Sequence, residues 1–210
     1  MKRQPETKQR GGGRAFTMIE LLVVIAIIAI LAGLLLPAVI GGIKRAEITQ
    51  AQTEVKLLAA ALTSYLNDYS KFPGQAALSG ASTDHTYTDY YMLIATLRGT
   101  NLAGTAQDLL GLTGNFWNNQ NPRKKVYLQV SEKSIATNGT INTADATVAT
   151  LGDLADPWGN RYRVVADWSM DGQVFADNET VFRTVAVWSW GSDTSFTPNS
   201  TNTAHVRSWR

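Results

Sequence analysis

The sequence predicts an α+β protein in which one long N-terminal helix, partly transmembrane, packs on a small antiparallel β-sheet. Three observations carry this expectation. Leu21 to Ile43 is an unbroken run of 23 residues without a charged side chain. About 20 such residues suffice to cross ~30 Å of hydrocarbon as a helix. Beyond it, Ile48, Ala51, Val55, Leu58, Leu62, Tyr65 or Leu66, and Tyr69 recur at steps of three and four, the mark of one helix face. Late in the chain, Arg161 to Asp167 and Thr180 to Trp190 are β-branched and aromatic, which is strand composition.

Residues 1–15 come first. Lys2, Arg3, Lys8, Arg10 and Arg14 stand against the single acid Glu6, with Gly11, Gly12 and Gly13 beside them. No apolar periodicity is present, so this leader needs no fixed structure. Its side chains carry +4 of the chain's net +2, which leaves the remainder at −2. The basic charge is therefore an orientation signal that predicts a cytoplasmic N-terminus, rather than a surface for nucleic acid. A cleaved secretory signal would have an apolar core of only ~7–15 residues and a small-residue cut site. Here the run is longer, and Lys44 and Arg45 follow it.

Residues 16–43 form the apolar half of the helix and residues 44–69 its amphipathic half. Neither Pro nor Gly interrupts 44–69. Phe16 to Tyr69 would span about 80 Å as one helix, and Phe72-Pro73-Gly74 stops it. Gly33, Pro37 and Gly41-Gly42 weaken the middle by about 1 kcal/mol per Gly and ~3 for Pro. That predicts a bend or partial melting near Gly33–Gly42, foremost in an assembled fibre.

Residues 44–210 are ordinary globular sequence and contain all six tryptophans. Residues 74–155 are rich in small and polar side chains and read as a variable insertion. Within them, Met92–Leu97 and Gln107–Leu112 suggest short helices, Lys125–Val130 a strand, and Thr137–Thr150 a loop. Residues 156–210 hold the sheet of three or four strands. Asp171-Gly172 is a tight-turn signal between its two main strands. Gln173–Phe175 and Val206–Trp209 suggest further strand pieces.

The chemistry starts at Glu20, a carboxylate inside the apolar stretch. An acid in the membrane costs up to ~2.5–3.5 kcal/mol, less near the edge. Each buried Leu or Ile returns roughly 1.5–3 kcal/mol, so the span inserts regardless. No Lys or Arg follows within a helical turn or two. A cut just before Phe16 would create an amino group four residues away, a natural counter-charge on the same or a neighbouring chain. The simpler alternative is that Glu20 snorkels to the headgroups.

The segment Ala15-Phe16-Thr17-Met18-Ile19-Glu20-Leu21-Leu22-Val23-Val24-Ile25 resembles the class III signal of type IV pilins and type II secretion pseudopilins. The resemblance implies that a prepilin peptidase cuts between Ala15 and Phe16 and methylates the Phe16 amine. It implies that Glu20 pairs with a neighbour's N-terminus during assembly, and that Pro37 is the family's helix-bending proline. The residue before the cut is usually Gly in that family and is Ala15 here. Asp156-Pro157-Trp158-Gly159-Asn160-Arg161-Tyr162 is similar to a segment of the major pseudopilins. Pro157 and Gly159-Asn160 suit turns, while Trp158 and Tyr162 can bury against the helix.

In the major pseudopilins the C-terminal loop binds calcium, and Asp193 matches one acidic position there. The second acidic pair is replaced by Asn202-Thr203-Ala204-His205, whereas calcium needs six to eight oxygens. Asp167 to Gly172 offers a second place, with oxygens on Asp167, Ser169 and Asp171 before a glycine. A plain turn is the competing reading of that segment. The chain has no cysteine and two histidines, so disulfides and thiolate chemistry are excluded. No phosphate-binding, nucleophile-elbow or zinc-protease motif is present, so the expectation is a non-enzyme.

The function implied is a pseudopilin. Such a subunit is processed, held once through the bacterial inner membrane with a periplasmic C-terminal domain, and polymerised into the pseudopilus of a type II secretion-like export system. Its partners would be the prepilin peptidase, copies of itself and other pilins or pseudopilins, an inner-membrane assembly platform, and lipid. The alternatives are a surface type IV pilin for adhesion, motility or DNA uptake, and a membrane-tethered binding module that does not polymerise. The absence of a Cys pair favours the pseudopilin, since many type IV pilins close their C-terminal loop with a disulfide.

Overall fold

The computed structural model describes residues 16–75, 83–88, 90–99, 120–136, 152–193 and 201–210. Two compact units divide the chain, Met1–Lys44 and Arg45–Arg210. The leader, Gln107–Leu112 and Thr137–Thr150 lie outside the described residues.

Helix α1 is Met18–Tyr69. The backbone stays helical through Gly33, Pro37 and Gly41-Gly42, so the partial melting expected there does not occur in this single chain. A membrane-type helix tolerates Pro where its neighbours re-satisfy the freed backbone groups. The helix ends where Ser70 takes a left-handed φ of 52° and donates its N–H to the Leu66 carbonyl at 2.7 Å. A residue of that conformation just past the last turn satisfies an orphan carbonyl. In the first unit, the described part of α1 is exposed throughout, from Met18 at 90% to Ile43 at 54%. This helix is long and apolar enough to cross a membrane.

The second unit contains β1 (His85–Thr86), α2 (Tyr90–Arg98), β2 (Arg163–Ala166), β3 (Val174–Ala176), β4 (Glu179–Val181), β5 (Val185–Ser189) and β6 (Val206–Arg207). The main sheet has the order β1-β2-β5-β6, antiparallel throughout, and β3-β4 form a separate hairpin. Register is set by pairs such as Val164↔Val187 and Trp188↔Arg207. One face of the sheet, with Val164, Ala166, Val185 and Val187, packs in a core with Val55, Leu58, Leu62 and Tyr65 of α1 and Leu93 and Leu97 of α2. The other face, with Val165, Ala186 and Trp188, packs on Val174, Ala176 and Val181 of the hairpin. β2 and β5 are therefore buried on both faces, which is why they read as continuous apolar runs instead of alternating.

Three expectations are corrected. Lys125–Val130 joins no ladder: the Tyr127 and Leu128 N–H groups both donate to the Leu97 carbonyl, at 2.8 and 3.0 Å. The segment satisfies the end of α2 in preference to a sheet edge. Thr180–Trp190 is two strands, because Phe182-Arg183-Thr184 carries the chain from the hairpin to the main sheet. The hairpin turn is Asp177-Asn178, both at positive φ (49° and 65°), as a two-residue turn between twisted strands demands; Asp171-Gly172 instead leads from β2 into β3. Part of 74–155 also proves integral: β1 forms one edge of the main sheet, and α2 is almost wholly buried.

Candidate functional site

The first site residues sit at the start of α1. Thr17 and Glu20 form a reciprocal cap. The Thr17 N–H and hydroxyl donate to Glu20 Oε2 at 2.9 and 2.7 Å, and the Glu20 N–H faces Thr17 Oγ1 at 3.3 Å. This is a capping box, Thr-x-x-Glu, which satisfies backbone donors that have no intrahelical partner. An acid in the first turn also meets the positive end of the helix dipole. In the single chain, then, Glu20 has a partner that charge counting alone missed; the Thr17-x-x-Glu20 spacing is the signal that finds it. Phe16 beside it is 74% exposed. Pro37 lies inside the exposed apolar part of α1.

The second group is the Asp156 turn. Asp156 Oδ1 accepts from the N–H groups of Trp158 (3.0 Å) and Asn160 (2.7 Å), and Oδ2 accepts from Ser189 Oγ at 2.5 Å. Burial pushes this carboxyl above its ordinary pKa, and the donors offset part of that shift. Gly159 closes the turn at φ 86°, with its N–H on the Asp156 carbonyl at 2.9 Å. Asn160 Nδ2 reaches the Gly191 carbonyl at 3.4 Å. Tyr162 donates to Glu54 Oε2 of α1 at 2.6 Å, and Ser134 Oγ donates to Glu54 Oε1 at 2.7 Å. Burial, then the Glu54 bond, pushes the Tyr162 hydroxyl far above its ordinary pKa. The motif is thus a clamp joining its turn to β5 through Ser189 and to α1 through Glu54. Glu54, buried on the helix, is the clamp residue that sequence reasoning missed.

The acidic residues separate into two places. Asp167 and Asp171 converge with Asp84, their oxygens lying within 4.8 Å of one another. Asp84 is the member the sequence did not suggest, being far away in the chain. Asp167 is also well satisfied as a loop cap, accepting from Ser169 Oγ (2.9 Å), Asp171 N–H (3.2 Å) and Gly172 N–H (2.8 Å). Burial raises the Asp84 pKa, with repulsion from Asp167 and Asp171 adding to it. Hydrogen bonds from the Gln173 side chain and backbone lower that of Asp171. Hard cations take such oxygens. Asp193 stands apart: its Oδ2 accepts from Asn202 Nδ2 at 2.8 Å and lies 3.0 Å from His205 Nε2.

Comparison with known proteins agrees with the geometry at the helix start. Residues 12–36 match the prokaryotic N-terminal methylation motif. The chain is 40% identical over 65 residues to type II secretion system core protein G of Pseudomonas aeruginosa, covering 31% of this chain and 46% of that protein. It is 48% identical over 59 residues to the type IV wide pilus major component PilA4 of Thermus thermophilus, 28% of this chain and 37% of that one. It is 33% identical over 79 residues to the fimbrial protein of Neisseria meningitidis, 38% and 46% respectively. The chain thus spans less than half the length of these curated relatives. No solved structure matches it. The methylation signal and these likenesses are those of the type IV pilin and type II secretion pseudopilin family, and the α+β fold is pilin-like.

Proposed function

We propose that this chain is a fibre subunit, processed between Ala15 and Phe16 and polymerised through its apolar helix half into the pseudopilus of a type II secretion-like export system. The observation that carries the reading is a helix whose first half is apolar, exposed throughout and opened by an acid, Glu20, inside the methylation motif. Bilayer lipid covers that surface while the subunit is held in the inner membrane. Neighbouring copies cover it in the fibre. A methylated Phe16 amine from an adjacent subunit then replaces the Thr17 groups as the partner of Glu20. Prepilin peptidase and an inner-membrane platform are the machinery such a route requires, and the folded C-terminal domain is the periplasmic part. Pro37 provides the place at which the helix can yield during packing.

A surface type IV pilin is the second reading, and the likeness to the Thermus and Neisseria proteins supports it. The Asp156–Tyr162 segment favours the pseudopilin. The two differ in where fibres end: a deletion that removes long surface fibres supports the pilin, and one that traps exported proteins in the periplasm supports the pseudopilin.

Polymerisation itself is tested with a single cysteine, since the chain has none of its own. Leu34→Cys lies on the exposed apolar half. Oxidation in native membranes should give a ladder of cross-linked species. A monomer that never cross-links, at this position or at Leu31→Cys, would leave only a membrane-tethered module.

A further inference from the structure

The pseudopilin resemblance implies a calcium ion at the C-terminal loop around Asp193, and the described residues there do not fit one. Asp193 Oδ2 accepts from Asn202 Nδ2 at 2.8 Å and lies 3.0 Å from His205 Nε2. Its nearest acidic neighbour across His205 is Asp177, at the β3–β4 turn. Both Asp177 oxygens lie 3.0 Å from His205 Nδ1, and its Oδ2 also receives Arg207 Nε at 2.6 Å and Nη2 at 2.5 Å. An ion binding either carboxylate would have to displace donors that already hold it. The backbone leaves little room as well. Gly191 sits at φ 59°, and a Cβ placed there would fall 1.9 Å from the Ala204 carbonyl oxygen. The two sides of the loop therefore touch directly.

Arg207 supplies positive charge at the place a metal would otherwise take. His205 sits between the two acids, with Nδ1 3.0 Å from both Asp177 oxygens and Nε2 3.0 Å from Asp193 Oδ2, and Arg207 Nη2 lies 3.4 Å from Nδ1. Arg207 is a permanent cation. Two carboxylates thus close on the Arg207 guanidinium and the His205 ring, with His205 and Asp177 fully buried and Asp193 nearly so. The Trp190 ring stands edge-on to His205 at 5.0 Å, and Arg207 Nη1 also donates to the Asn202 carbonyl at 3.0 Å.

We propose that Asp177 and Asp193 are held together by the chain's own side chains, Arg207 and His205, in place of a metal ion. The main sheet already pairs β5 with β6; the network adds the turn of the separate β3–β4 hairpin to them. It stands independently of whether the chain polymerises. The consequence is a domain whose C-terminal lobe keeps its fold under chelation.

The test is thermal unfolding of the full chain in detergent micelles, with a chelator and with millimolar calcium, for the wild type, His205→Gln and Asp193→Asn. Removing one member of this buried network should lower Tm by roughly 6–20 °C. Both variants should show this drop with and without calcium. A calcium-induced rise that Asp193→Asn retains is consistent with the proposal, because the ion then sits elsewhere. A rise in the wild type that Asp193→Asn abolishes would overturn it, as would a His205→Gln chain as stable as the wild type. If His205→Gln does not fold, the calcium comparison on Asp193→Asn decides the question.

Discussion

Glu20→Gln separates the two things this carboxylate can do. In the single chain its Oε2 accepts from the Thr17 N–H and hydroxyl at 2.9 and 2.7 Å. A glutamine carbonyl oxygen accepts the same two bonds, so the cap survives. Glu20→Ala loses it, at a cost of ~0.5–2 kcal/mol. Neither change threatens membrane insertion, because each of the many apolar side chains behind Glu20 contributes roughly 1.5–3 kcal/mol on burial. Assembly is different. If Glu20 neutralises a neighbour's Phe16 amine in a lipid-free, water-poor interface, removing the charge strands that amine. Breaking a buried pair this way costs ~3–5 kcal/mol, or about two to four orders of magnitude in the concentration needed to polymerise. The assay combines carbonate extraction of membranes with fibre recovery by shearing or cross-linking. Glu20→Gln should remain in the membrane at wild-type level and fail to form fibres. Glu20→Gln chains that assemble normally would refute the ion-pair reasoning and leave the capping box as the whole role of Glu20.

Three further outcomes follow from the packing and the turns. Leu58→Ala, at a fully buried position on the α1 face, should cost ~2–5 kcal/mol and lower Tm by several degrees in a melting experiment. Gly191→Ala should abolish folding or cost far more than Gly159→Ala: its Cβ meets the Ala204 carbonyl at 1.9 Å, whereas the Gly159 Cβ meets nothing within 4 Å. Gly159→Ala should cost only the ~1–2 kcal/mol of a left-handed residue, as read from denaturant melts. Asp156 has its pKa raised above 3.8 by burial, so its folded form holds a proton more tightly than the unfolded chain. Its contribution is complete below about pH 3.8 and is lost as pH rises through the elevated value. The difference in unfolding free energy between Asp156→Asn and wild type should therefore shift in favour of Asn as pH climbs above 3.8, in urea melts taken at several pH values.

The long helix was legible because its signals are local: an unbroken apolar run, a 3.6-residue period and the Phe72-Pro73-Gly74 stop, and it ends at Tyr69 as those signals imply. β2 and β5 were legible in composition but not in extent. Thr180–Trp190 looks like one strand until tertiary contacts show that Val181 belongs to the hairpin and Val185 to the main sheet. Lys125–Val130 alternates as a strand would, yet its backbone is drawn to the open end of α2 at Leu97. Among site residues, Asp156, Trp158, Gly159, Asn160 and Tyr162 could be found as one motif because they are contiguous. Asp84, Glu54 and His205 could not, because each meets its partners across long stretches of chain. Glu54 in particular reads as one more polar position on an amphipathic helix until Tyr162 and Ser134 are seen to donate to it.

If the proposed function holds, the mature chain begins with Phe16 and Glu20 opens its helix for assembly. Intact mass and N-terminal peptide mass spectrometry on protein from native membranes measures this directly. The expected species is a chain starting at Phe16 with one added methyl group on its amine. A chain that retains Met1 and the basic leader in its membrane-extracted form would contradict it.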